Sequence, residues 1–417
     1  MRFSAETLER LYGREEQVRQ AARYERLAAR FEKLYANQTG VRFFSAPGRA
    51  EIGGNHTDHQ SGRVLAASIN MDTIAAALPN GGGTLVRVNS DGFPPVEVDL
   101  SDLSPRGAEK GTSAGIVRGC GARLKALGLP IGGFDAVVTS SVLSGSGLSS
   151  SASFEILLCS IFDGLFGGSK LSPVLAAQVS QYAENTYFGK PSGLLDQIAS
   201  ALGGVVSVDF EHADPAIEKI PYDFAARGYA LAVVNTGGSH DSLTDAYAAI
   251  TAEMGQVASH FGAERLRFVD PARFEAEIPS LRKKISERAI LRAMHFFGEN
   301  ERVLRQVAAL KADDLPRFFS LVIESGESSW RLLQNVWASP ADQPLALALA
   351  LSESMLKGHG AWRVHGGGFA GTILAFVPHD SLDAYKERMD AVFGEGACRP
   401  LRIRPVGAYE VKRGGGA

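Results

Sequence analysis

Between residues 5 and 36 the apolar positions Leu8, Leu11, Val18, Ala22, Leu27, Phe31 and Leu34 recur at helical spacing among Glu, Arg and Lys. That pattern predicts two helices with one wet face ahead of the first strand. A short strand is expected at Val41 to Ala46, interrupted by Pro47-Gly48, and the apolar run Val64 to Leu78 suits a buried strand or helix beside that turn. Thr84 to Asn89 and Val96 to Leu100 alternate in polarity around turn residues and predict a hairpin-like pair. Helical spacing returns from Ser113 to Leu127 and stops at Gly128. A strand at Gly133 to Thr139 then runs into a serine and glycine cluster, with a helix expected directly after it. Leu171 to Thr186 reads as a helix and Val205 to Phe210 as a strand. The composition shifts at Asp214-Pro215, which predicts two domains, 1–214 and 215–417. Beyond that point a strand at Tyr229 to Asn235, a helix at Thr244 to Phe261 and long helices over 286–335 lead to glycine-rich turns and strands at Ala361 to Val377 and Arg399 to Val406. Strands and helices without strict βαβ alternation indicate an α+β protein.

Composition narrows the class. The 417 residues suit two or three packed units at roughly 150 residues each. Hydrophobic residues at 45% and charged residues at 21% exclude a disordered or collagen-like chain. The 43 Lys+Arg and 46 Asp+Glu leave a net charge of -3 with no long run of one sign, so no nucleic-acid partner is expected. The N-terminus is charged within its first turns and no apolar stretch approaches the ~18 residues of a membrane span, so no membrane partner and a cytosolic location are expected. Cys120, Cys159 and Cys398 are odd in number and widely spaced, which supports neither a disulfide framework nor a CxxC-type zinc site. The sequons at Asn37 and Asn55 are then chance matches.

Four clusters carry candidate chemistry. Ser144-Gly-Ser-Gly-Leu-Ser-Ser-Ser-Ala-Ser153 lies between a predicted strand and a predicted helix. Glycines allow close backbone approach and a helix N-terminus offers unpaired N–H groups, so the loop can cradle phosphates or be a flexible connector. It lacks the Gly-Lys-Ser/Thr ending of a Walker A loop and the third glycine of a dinucleotide fingerprint. Pro47 to His59 gathers Arg, Glu, Asn, Asp and two His in a glycine-permissive loop, suited to a polyhydroxylated ligand or simply to solvent, and its His and Asp lack metal-site spacing. Glu184 to Gln197 sets Asp196 after a Pro-Ser-Gly turn among apolar neighbours, either as a buried functional carboxylate or as the N-cap of a helix over Gln197 to Leu202. Val364 to Leu374 carries three glycines ahead of an apolar strand, for a ligand phosphate or a tight turn.

In this order the four clusters resemble the galactokinases, members of the GHMP small-molecule kinase family, over nearly the whole chain. Pro47-Gly48-Arg49 with His56-Thr57-Asp58 is similar to the sugar signature, Gly147 to Ser153 to the phosphate loop and Gly366 to Gly371 to the third motif. Asn235, His240 and Tyr247 fall at spacings similar to a segment that reaches the sugar. The resemblance implies a two-domain GHMP kinase fold, with an N-terminal ribosomal-protein-S5-domain-2-like unit, a C-terminal ferredoxin-like unit and the active site in the cleft between them. It implies transfer of the γ-phosphate of ATP to the anomeric hydroxyl of galactose. Asp196 would be the base and Arg49 its partner on the transferring phosphoryl group. Gly145, Ser146, Gly147, Leu148, Ser149, Ser150 and Ser151 would wrap the phosphates, with Ser90 near the nucleotide. Ser151 and Glu184 would hold Mg²⁺, an oxygen-only set suited to a hard ion. Asn55, His56, Thr57, Asp58, Gly193 and Tyr247 would bind the sugar. A monomer is the expected state.

The chain also departs from that pattern. Where relatives carry Val-Asn-Leu-Ile-Gly-Glu, it has Ala50-Glu-Ile-Gly-Gly-Asn55, replacing an acceptor-only carboxylate by an amide. Arginines usual after Tyr247 are absent, and Ala370 stands at a usual glycine. The rival readings are a kinase for another monosaccharide and a sugar- and ATP-binding regulator without turnover.

Overall fold

The computed structural model describes residues 3–36, 39–142, 147–190, 192–237, 244–336, 339–369 and 371–413. Gly145, Ser146, His240, Ala370, the start of the Asn37 sequon and the glycine-rich tail lie outside them. In chain order the elements are α1 (Ala5–Tyr12), α2 (Gln17–Tyr35), β1 (Arg42–Gly53), β2 (Arg63–Pro79), β3 (Leu85–Ser90), β4 (Val96–Asp99), α3 (Ser113–Ala126), β5 (Phe134–Ser140), α4 (Ser150–Phe162), α5 (Pro173–Tyr182), α6 (Leu195–Leu202), β6 (Val205–Asp209) and β7 (Ala216–Ile220). They continue with β8 (Tyr229–Asn235), α7 (Thr244–His260), α8 (Pro271–Leu281), α9 (Glu287–Lys311), α10 (Leu315–Ser328), α11 (Pro344–Leu356), β9 (Ala361–His365), β10 (Thr372–Pro378), α12 (Leu382–Phe393), β11 (Cys398–Leu401) and β12 (Tyr409–Val411).

Two sheets organise the chain. The larger runs β12-β1-β2-β5-β3-β4, with β6 also on β2 and β7 on β6; the smaller runs β11-β8-β10-β9. Period-2 alternation on the β1–β2 ribbon decides what packs where. Phe44, Ala46, Ala75 and Ala77 face α3 to α6, whereas Phe43, Ile74 and Ala76 face α1 and α2. Further along the ribbon, Ala50, Ile52, Leu65 and Ala67 share a core with Leu231 and Val233 of β8, Val303 of α9 and Phe318 of α10. One apolar layer therefore joins the two sheets.

The fold bears on three expectations. First, β1 does not stop at Pro47-Gly48. Beyond Ser45 no strand among the described residues pairs with its outer edge, so the missing Pro47 N–H costs no ladder bond, and bulges between Pro47/Arg49 and Glu51/Gly53 absorb the irregularity. Second, the boundary at 214/215 falls in the turn between β6 and β7, which pair in the larger sheet, and the chain returns to that sheet as β12 on β1. Third, Ser150–Gly167 is long and apolar enough by composition to cross a membrane, but more than half of it is buried in the core. All three cysteines are buried and free.

The return of the chain is held by charge. Asp72 on β2 is fully buried and meets Arg23 of α2, Arg404, Ser45 and Tyr12. Burial pushes its carboxyl up, and the two guanidiniums more than offset this, leaving it below the usual aspartate value. Arg404→Met removes one of these partners from a buried cluster and is expected to lower unfolding stability by about 3–5 kcal/mol in urea titrations.

Candidate active site

Arg49 follows Gly48 on the bulged part of β1. A Cβ at Gly48 would stand 2.7 Å from the Leu148 carbonyl oxygen, so only glycine lets the strand touch the serine and glycine loop. The Arg49 N–H donates to that carbonyl at 3.1 Å. Its guanidinium Nε donates to Asp196 Oδ1 at 2.7 Å and its Nη1 to the Gly147 carbonyl. Asp196 sits in the first turn of α6, whose N-cap position is Leu194. The carboxylate therefore faces Arg49 and the Ser149 hydroxyl rather than capping the helix. Burial raises the Asp196 pKa, but Arg49, Ser149 and Lys190 outweigh it and hold the carboxyl below the ordinary range.

The loop opens α4 as expected. Gly147 and Ser149 take positive φ of 68° and 60°, which turns the chain into the helix, and Ser150 and the exposed Ser151 form its first turn. Ser90 ends β3, paired in parallel with Val138 of β5, three residues before Ser141 where the chain enters this loop. The third glycine cluster closes over the same place. A Cβ at Gly366 would meet Gly147 Cα at 3.6 Å, and Gly367 lies so close to the Tyr247 hydroxyl that a Cβ there would be 1.5 Å from it.

The sugar-signature loop divides into groups facing inward and groups left for a ligand. Asn55 is fully buried, and its amide is saturated: Nδ2 donates to Glu51 Oε1 (2.9 Å) and the Gly366 carbonyl (2.7 Å), while Oδ1 accepts from Asn335 (2.9 Å) and Ser329 (3.2 Å). The Thr57 hydroxyl is buried on the Gly54 and Arg63 carbonyls. These two side chains therefore build the loop through internal hydrogen bonds. His56 faces the Gly367 carbonyl through Nε2 at 3.1 Å, and burial drops its pKa to about 4. Asp58 lies where a Gly193 Cβ would be 2.2 Å from Oδ2, so that glycine admits the carboxylate. Burial and the neighbouring Asp196 charge raise the Asp58 pKa, despite the hydrogen bond from the His59 N–H.

Glu184 is buried at the end of the helical run from α5. It accepts from Lys190 Nζ (2.9 Å), the Ser192 hydroxyl and Gln197 Nε2 (3.0 Å), and Gln197 Nε2 also donates to Glu155 at 3.1 Å. Sequence reasoning passed over Lys190, Gln197 and Glu155, since no short period links them. It also missed the buried pair of Glu51 with Arg363 at 2.9 Å, 312 residues apart, and His365, whose Nε2 accepts the Glu51 N–H at 3.0 Å.

Two outcomes follow from this packing. Gly367→Ala should displace the Tyr247 ring and weaken ligand binding at the site at least ~10-fold, read by calorimetry. His56, His59, His295 and His365 are all held neutral by burial, below the ordinary value of 6.5. Their folded-state pKa values are depressed, so the unfolded chain binds protons first on acidification. The thermal midpoint should fall by several degrees between pH 7 and pH 5, a change that scanning calorimetry reads.

Comparison with known proteins agrees with this convergence. The galactokinase galactose-binding signature matches residues 29–79, and the N-terminal domain of GHMP kinases matches residues 115–204. The galactokinase of Streptomyces coelicolor is 32% identical, over 90% of this chain and 94% of its own. That of Glaesserella parasuis is 31% identical, over 85% and 88%. The crystal structure of Lactococcus lactis galactokinase complexed with galactose superposes with a TM-score of 0.80 at 25% identity, covering 93% of this chain and all of that one. Mevalonate kinase of Methanococcus jannaschii shares the fold, with a TM-score of 0.64 at 15% identity over 88% of this chain and 99% of its own. The sequence identity along nearly the whole length, on this fold and with these clusters meeting, shows that the chain belongs to the galactokinase family.

Proposed function

We propose that the protein transfers the γ-phosphoryl group of ATP to the anomeric hydroxyl of galactose, giving galactose 1-phosphate and ADP. The observation that carries this reading is the double grip of Arg49 on Asp196 and on the Gly147 carbonyl of the phosphate loop, which joins the sugar side of the cleft to the nucleotide side. In the step, the sugar oxygen bonds to the γ-phosphorus, the bond from that phosphorus to the β–γ bridging oxygen breaks, and the hydroxyl proton passes to Asp196 Oδ. A carboxylate beside a guanidinium stays ionised at neutral pH but is a weak base, so orientation of the hydroxyl is its larger contribution. Phosphoryl transfer passes through a loose transition state with charge on the equatorial oxygens, which Arg49 and the N–H groups opening α4 are placed to stabilise. Asp58 and the Gly193 backbone line the sugar side.

Ser151 and Glu184 fit Mg²⁺ by donor chemistry: both offer oxygen only, and a hard ion that keeps several waters would need just one or two protein ligands. Bound there, the ion would neutralise phosphate charge. Lys190 meanwhile supplies the countercharge of the buried Glu184. The reading places the protein in the cytosol.

ADP release measured across a panel of hexoses and pentoses tests the assignment: galactose should turn over best, and a panel in which galactose is ignored overturns it. Asp196→Asn is expected to cut kcat about 10²–10⁴-fold while ATP still binds by calorimetry. Ser151→Ala should raise the Mg²⁺ concentration needed for half-maximal rate.

A further inference from the structure

A cavity of about 650 Å³ lies outside the cleft, between α10, the end of α9 and the turn ahead of β9. Its volume suits a small organic ligand. One wall is apolar, formed by Leu315, Phe319 and Ile323, with the Tyr229 ring edge-on to Phe319 at 4.7 Å. The opposite side holds Arg302, whose side chain is 11% exposed. Its Nη1 is bound to Glu299, but its buried Nε has no hydrogen-bond partner among the described residues. The Glu324 carboxylate stands 3.7 Å from that Nε. Arg305 and Arg317 also stand off Glu324 at 3.8 Å each, and Arg331 stands off Glu327 at 3.7 Å. Arg302 and Arg331 thus line the cavity beside Glu324 and Glu327, and the pairs to Glu324 and Glu327 are too long for hydrogen bonds. A buried guanidinium N–H left unsatisfied is a costly arrangement that an anionic oxygen would relieve.

Two buried relays connect this wall to the sugar-signature loop. Glu299, held by Arg302, accepts the Gly54 N–H at 2.9 Å and the Ser325 hydroxyl. Ser328, on the cavity wall, bonds His295 Nδ1 at 2.9 Å, and His295 Nε2 donates to the Asn55 carbonyl at 2.9 Å.

We propose that this cavity binds an amphipathic monocarboxylate, its head group on Arg302 Nε and its apolar body along Leu315, Phe319 and Ile323, and that occupancy weakens sugar binding by drawing Arg302 from Glu299. A monocarboxylate sets less charge against Glu324 and Glu327, which also line the cavity, than a phosphate dianion would. The coupling rests on the proposed sugar site; the binding does not.

Calorimetric titration of the full chain with octanoate tests the site, with phenyl phosphate as the alternative head group. Saturable octanoate binding is expected, at least ~10-fold weaker in Arg302→Gln. In Glu324→Gln, which removes the internal competitor at a half-buried position, octanoate should bind ~2–5-fold tighter. Octanoate affinity unchanged in Glu324→Gln, or in a folded Arg302→Gln, overturns the site, and phenyl phosphate binding in place of octanoate overturns the carboxylate assignment. Saturating octanoate should raise the galactose Kd about 5-fold, and an unchanged Kd overturns the coupling.

Discussion

Arg49 is the constraint on which the site depends. Its backbone is tied to Leu148 and its guanidinium to Gly147 and Asp196, so strand β1, the loop into α4 and the first turn of α6 are fixed relative to one another by one residue. That contact exists because Gly48 has no side chain and because β1 bulges there instead of ending. The arginine is almost wholly buried, and its charge is balanced chiefly by Asp196, with Glu51 and Asp58 nearby. Removing Asp196 therefore leaves a buried cation as well as a missing acceptor, which makes the pair both structural and chemical.

Around that contact the carboxylates have different tasks set by their surroundings. Asp196 is held ionised by a guanidinium, whereas burial raises the pKa of Glu51, even with Arg363 and Arg49 opposing it. Glu155 shares one amide hydrogen-bond donor group with Glu184 and is pushed far up by burial and by that neighbouring charge. Environment rather than residue type distributes charge through the cleft.

The glycine clusters act as close-approach surfaces. Gly48 admits the loop, Gly367 admits the Tyr247 ring, Gly193 admits Asp58, and Gly366 lies against Gly147. This explains how one site can be assembled from segments at residues 47–58, 147–151, 184–196 and 366–368: backbone meets backbone where side chains would hold the layers apart.

Much of this was present in the chain's pattern. Helical spacing before residue 36, the hairpin at 84–100, the strand and helix on either side of the serine and glycine loop, and the four clusters themselves are local properties that periodicity and turn chemistry report. The course of β1 through Pro47-Gly48 was not, because it depends on which edge of a strand is left unpaired. The membership of β12 in the larger sheet was hidden as well, since its pairing partners on β1 lie up to 368 residues apart. Tertiary packing alone decided that Asn55 and Thr57 turn inward while Asp58 stays available, because a side chain's free valences are set by neighbours such as Asn335 and Gly366 that sequence order keeps far away.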